Sequence, residues 1–191
     1  MPQKGSVNMA RFIPMRAATL LSSAVLLFSS GAAVAQTSPL YVNREYRFEI
    51  IFPGEPMARD TTHTTSSGVS VPARQFLFEQ DADRYSVTVV DFPAGPPIDE
   101  PLIEHAASEL RKRGEIRFQF DNNYDPGVPG RQLNILESNG HQLRASVYMW
   151  DHHLYITEVS AVPASLPALQ FEQSITMLDA DGNEVNTGVG M

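Results

Sequence analysis

The stretch Arg84-Tyr85-Ser86-Val87-Thr88-Val89-Val90-Asp91-Phe92 decides the fold. β-Branched and aromatic residues fill it, and turn sequences bound it on both sides, Asp81-Ala82-Asp83 before and Pro93-Ala94-Gly95-Pro96-Pro97 after. It reads as a central strand. Upstream, Val69 to Glu79 and the Thr-rich run Arg59 to Thr65 read as two more strands, joined by the turn Ser66-Ser67-Gly68. Before these, Tyr46, Phe48, Ile50 and Phe52 alternate with Arg47 and Glu49 in the period of two of a half-buried strand, which stops at Pro53-Gly54.

Downstream the period changes from 2 to 3.6. Asp99 can cap a helix whose second position is Pro101, where a missing N–H costs nothing. Leu102, Ile103, Ala106, Ala107 and Leu110 form its apolar stripe, and Arg111, Lys112 and Arg113 suit its negative end. Gly114 reads as the C-terminal stop. Strands resume with Ile116, Phe118 and Phe120, then Gln132 to Glu137, Gln142 to Trp150 and Leu154 to Val159, the middle pair joined by the tight turn Ser138-Asn139-Gly140 and the last by Asp151-His152. Leu166 to Met177 has roughly helical spacing of Leu166, Leu169, Phe171, Ile175 and Leu178, and residues 179–191 read as a flexible tail. The order β-β-β-β-α-β-β-β-β-α predicts an α+β fold: an antiparallel β-sheet of about six to eight strands with helices packed on it as an α/β/α sandwich.

The first 35 residues have the three parts of a secretory signal. Arg11 and Arg16 give a positive start, the apolar run Ala17 to Phe28 is too short to span a bilayer, and Ala33-Val34-Ala35 offers the small residues a signal peptidase accepts. Cleavage is expected between Ala35 and Gln36, and Met9 would serve equally as the start. Residues 36–44 read as a short linker and 45–178 as one domain. The chain has no cysteine, which excludes disulfides, thiolate metal sites and a lipid-modified cysteine after the signal. Of its 14 Lys and Arg, Lys4, Arg11 and Arg16 fall in the signal, leaving 11 against 22 Asp and Glu, a net charge of −11. Such a surface repels phosphate backbones and anionic head groups, so neither nucleic acid nor a membrane surface is expected as a partner, and no stable anchor remains after cleavage.

Three stretches resemble the PsbP-like superfamily, which holds the extrinsic PsbP subunits of photosystem II, the Ran-binding Mog proteins and exported bacterial proteins. They are Phe48-Glu49-Ile50-Ile51-Phe52-Pro53-Gly54-Glu55-Pro56, the strand Tyr85 to Phe92, and Pro129-Gly130-Arg131-Gln132 running through Arg144 to Tyr155. Together they span about residues 45–178. The motifs are turn chemistry and core pattern, with no catalytic residue among them. The resemblance implies a non-enzymatic binding or assembly role, by analogy.

Candidate chemistry concentrates near one turn. Asp151, His152 and His153 could hold zinc or copper in a periplasmic protein, although adjacent strand residues point to opposite faces and a solvated hairpin turn explains them as well. Tyr148, Trp150 and Tyr155 form an aromatic set that would either anchor a protein partner or sit in the core. His63 falls on an early edge strand, His105 beside the helix stripe and His141 just after a turn. The pairs Asp81/Asp83 and Asp179/Asp181 lack the spaced ligands of a calcium loop and read as turns. No spaced nucleophile, base and acid appears, so the expectation is an exported, non-catalytic binding or assembly module without a cofactor, with a metal-binding role at Asp151-His152-His153 as the alternative.

Overall fold

Val87 and Val89 are fully buried, as a central strand requires. The computed structural model describes residues 39–92, 100–186 and 188. The signal segment with its Ala35–Gln36 cleavage point, the Pro93–Pro97 turn and the capping Asp99 lie outside the described residues. In chain order the elements are β1 (Leu40–Asn43), β2 (Phe48–Ile51), β3 (Met57–Thr64), β4 (Ser70–Gln80), β5 (Asp83–Asp91), α1 (Glu100–Arg111), β6 (Gly114–Asp121), β7 (Gly130–Glu137), β8 (Gln142–Trp150), β9 (His153–Ala161), α2 (Leu166–Gln173) and β10 (Thr176–Met177).

The fold is α+β and mostly antiparallel sheet. Seven strands pair in the order β3-β4-β5-β9-β8-β7-β6, and β1-β2-β10 form a smaller sheet. Hairpins build β3-β4-β5 on one side and β6-β7-β8-β9 on the other. Between them the chain crosses through α1 to the far edge and works back until β9 meets β5, Val87 opposite Thr157.

Alternation along the strands sorts the large sheet into two cores. Leu133, Ile135, Leu143, Val147, Met149 and Leu154 pack against Ile103, Ala106, Ala107 and Leu110 of α1. That is the helix stripe at i, i+3, i+4 and i+7, each large side chain contributing roughly 1.5–3 kcal/mol on burial. On the opposite face Phe76, Tyr85, Val87, Val159 and Tyr155 pack against Phe48, Ile50 and Phe52 of β2 and against Ala168 and Phe171 of α2. Phe48 meets Phe76 at 5.2 Å between ring centroids, and Phe171 meets Phe52 at 5.0 Å. The second layer is therefore a small sheet and a helix together, where the sequence pattern suggests a helix alone.

Four local expectations change. Residues 40–43 pair with β2 as a strand, Tyr41 opposite Ile50, so the expected 36–44 linker holds a sheet edge too short to show a period. The second helix ends at Gln173, not Met177. Ser165 caps its start by accepting from the Ala168 N–H, and the Ser174 N–H bonds back to Phe171, after which Thr176 and Met177 join β2. Its helical spacing was carried past the end by Ile175 and Leu178, which are buried from extended chain. The expected tail also begins late: the Val185 N–H donates to Met177, and Val185 is buried. Gly114 is the first residue of β6 and has no positive φ; a Cβ there would come within 2.1 Å of the Leu136 carbonyl oxygen, so close strand pairing is what requires glycine.

The covers are staggered. α1 lies over β6 to β9 on its face, while on the other face α2 lies over β8 and β9 and the small sheet packs against β4 and β5. A cleft remains beside β3 on the α1 face, and β6 stays exposed at the other edge.

Candidate functional site

A cleft of about 450 Å³ lies between β3 and α1. Ala106 and Leu110 of α1 and Ile156 of β9 give it an apolar floor. His63 comes from β3, opposite Val71 in register, while His105 and Glu109 come from one side of α1. The crossover between β5 and β6 brings these residues together.

The two imidazoles meet edge to face at 5.9 Å. The Nε2 of His105 hydrogen bonds the Thr64 carbonyl at 2.8 Å, fixing α1 to the end of β3. His63 is half-buried, and burial pushes its pKa below the ordinary imidazole value, with nearby His105 adding to the effect and Glu109 opposing it. The His63 Nε2 is buried and meets no hydrogen-bond partner among the described residues. At the far end Arg113 grips Glu137 with Nε and Nη2 at 3.0 and 2.7 Å and reaches Glu158 with Nη1. Lys112 holds Glu109 at 2.5 Å. The charged groups are thus held by one another, and the uncharged polar lining of the cleft is Thr62, Thr64 and the His63–His105 pair.

A second depression, about 350 Å³, lies on the opposite face and is lined by Asn122, Gln132, Tyr148 and Glu172. Its groups bond each other: Asn122 donates to Tyr148 at 2.9 Å, and Gln132 donates to Glu172 at 2.5 Å.

No family model and no curated protein matches the chain. Among solved structures, it is similar to a crystal structure of a Pseudomonas aeruginosa protein, PA94, described as of unknown function and provisionally a regulator. The identity is 20%, the TM-score 0.33, and the match covers 68% of this chain and 85% of that one.

The sites expected from sequence lie elsewhere. Asp151 and His152 both have positive φ, 42° and 72°, and form the two-residue turn between β8 and β9. Asp151 is taken by Arg47, and His152 stands exposed, its Nε2 3.7 Å from Asp151. His153 lies on β9 opposite Trp150, with its Nε2 3.9 Å from Asp91. Among the described residues no group of three His, Asp or Glu is arranged to hold a metal ion. Tyr148 and Tyr155, 4% and 0% exposed, belong to the core under β2 and α2, and Trp150 packs against it half-buried. Of the two readings of that aromatic set, their burial fits core. Burial also raises the Tyr155 phenol well above its ordinary pKa. Asp179 is a turn residue whose Oδ1 accepts from the N–H groups of Asp181 and Asn183, both at 2.9 Å. Those bonds, the one from Asn183 most, hold its pKa below the ordinary value.

Sequence reading placed His63 and His105 on their elements but did not join them. Only the crossover does so, and no local period encodes it.

Proposed function

We propose that the chain is an exported, non-catalytic binding module of the PsbP-like, α/β/α kind, acting in the periplasm, and that the cleft between β3 and α1 is where it holds its ligand or partner segment. The observation that carries this reading is the meeting, in one cleft, of an apolar floor with the imidazole pair His63 and His105 and the hydroxyl-bearing Thr62 and Thr64. Such a surface suits a ligand with an apolar body and one polar head, laid along Ala106, Leu110 and Ile156 with its head at His63. The Arg113 guanidinium is engaged by both Glu137 and Glu158, and a cation held in this way supports binding rather than turnover. Export is supported by the signal pattern of residues 11–35, and the fold kinship by the three resembling stretches.

Photo-crosslinking tests the site. A benzoylphenylalanine at Thr62 or Glu109, introduced in cells, should trap one discrete species, and one at exposed Val162 should not. The same products from all three positions, or none from the cleft, would remove the cleft from the proposal.

A further inference from the structure

β6 closes one side of the large sheet, and every residue from Gly114 to Asp121 is exposed. A bare edge offers unpaired backbone N–H and C=O groups to another strand, and proteins usually blunt it with charge or a bulge. The opposite edge, β3, presents Arg59, Asp60, Thr61, Thr62 and His63. β6 is blunted only as far as its register shift between Ile116 and Phe118. Beyond that point Phe118 and Phe120 are 46% and 47% exposed, stacked at 6.2 Å with rings 22° apart. They lie opposite Asn134 and Gln132 of β7, on the face that α2 leaves open.

We propose that β6 pairs with β6 of a second copy of this chain, antiparallel, about a two-fold axis at Gln119. In that register Phe118 of each copy stands opposite Phe120 of the other, giving two cross-strand aromatic pairs. Arg117 of each copy stands opposite Asp121 of the other, giving two opposite-charge pairs. Both charges have room for this: Arg117 is half exposed beside Glu115, and Asp121, though touched by Arg131, is 80% exposed. Moving the axis to Phe118 or Phe120 removes both charge pairs, and moving it to Ile116, which would pair Glu115 with Arg117, removes both aromatic pairs; only the axis at Gln119 gives both kinds. The result is an isologous dimer with a continuous sheet. Its interface lies on the edge opposite β3, and Gln119 at its centre accepts a hydrogen bond from Arg111 of α1 at 2.8 Å.

The absence of cysteine makes the register directly testable. Directly opposed strand residues have Cα atoms about 4.5–5.5 Å apart, within disulfide reach. Gln119→Cys, oxidised as the purified protein, should form a covalent dimer at least ten-fold faster than Thr62→Cys on the other edge strand. Adding Phe118→Asp and Phe120→Asp should abolish that product, and by sedimentation equilibrium the same pair should halve the wild-type mass while circular dichroism stays unchanged. Arg117→Asp should slow cross-linking, and Arg117→Asp with Asp121→Arg should restore it. The proposal is overturned if Gln119→Cys cross-links no faster than Thr62→Cys, if the wild type sediments as one chain up to millimolar concentration, or if the dimer survives the two Asp substitutions. Binding of an extended peptide to β6 by a wild type that stays single would likewise replace the second copy as occupant.

Discussion

Arg144 of β8 and Glu172 of α2 form an ion pair at 2.8 Å, with side chains 18% and 5% exposed, fastening the second helix to the large sheet. Gln132 completes the shell of the carboxylate. Removing Glu172 leaves the largely buried Arg144 charge with only the neutral Gln142 oxygen as acceptor, so Glu172→Ala should lower unfolding stability by roughly 3 kcal/mol in urea titration, while Arg144→Met with Glu172→Leu should cost far less. Equal losses in the single and double variants would show that the pair does not act as a unit.

Stability should fall on acidification. Burial lowers the pKa of both His63 and His153 from the ordinary 6.5. The unfolded chain then binds more protons than the folded one between the lowered values and 6.5, so the contribution is complete above 6.5 and is lost as pH falls through that window. Urea midpoints between pH 7.5 and 5 should drop, and His63→Gln with His153→Gln should flatten the slope.

Gly114→Ala should cost about 1–3 kcal/mol, because the new methyl meets the Leu136 backbone oxygen, which can retreat only by opening the β6–β7 pairing. Gly140→Ala, strained by a φ of 85° but with open space around it, should cost less. Thermal melts of the two variants give the comparison.

Titration calorimetry with zinc and copper should give the same heats for the wild type and for His152→Ala with His153→Ala. Asp151 is engaged by Arg47, and His153 is turned toward Asp91. A site present in the wild type and missing from the double variant would restore the metal reading of that turn.

Expressed from its first residue in a bacterium with a periplasm, the chain should be recovered there with Gln36 as its N-terminus. Mass spectrometry reads this directly, and a start at Met1 or Met9 would remove export from the proposal.

Elements whose period is carried by their own side chains were legible. The alternation of Tyr85, Val87 and Val89 and the stripe from Ile103 to Leu110 became the centre of one sheet and the helix on its face. The turns at Asn139-Gly140 and Asp151-His152 were legible too; at the first, Gly140 takes the positive φ that favours glycine. What failed depended on distant partners. Leu40 to Asn43 is a strand because β2 pairs with it, and Thr176-Met177 leaves the helix to take the other side of the same strand. The cleft was hidden for the same reason: His63 and His105 are neighbours by topology alone.

The central pair β5 and β9 brings together residues as far apart as Val87 and Thr157, after a helix and three strands have been made. Contacts so distant in sequence make folding slow, since the loop entropy is lost before the contacts reward it. Refolding should therefore be limited by the meeting of β5 with β9, and substitutions that weaken either hairpin half alone should change its rate less than substitutions along that seam.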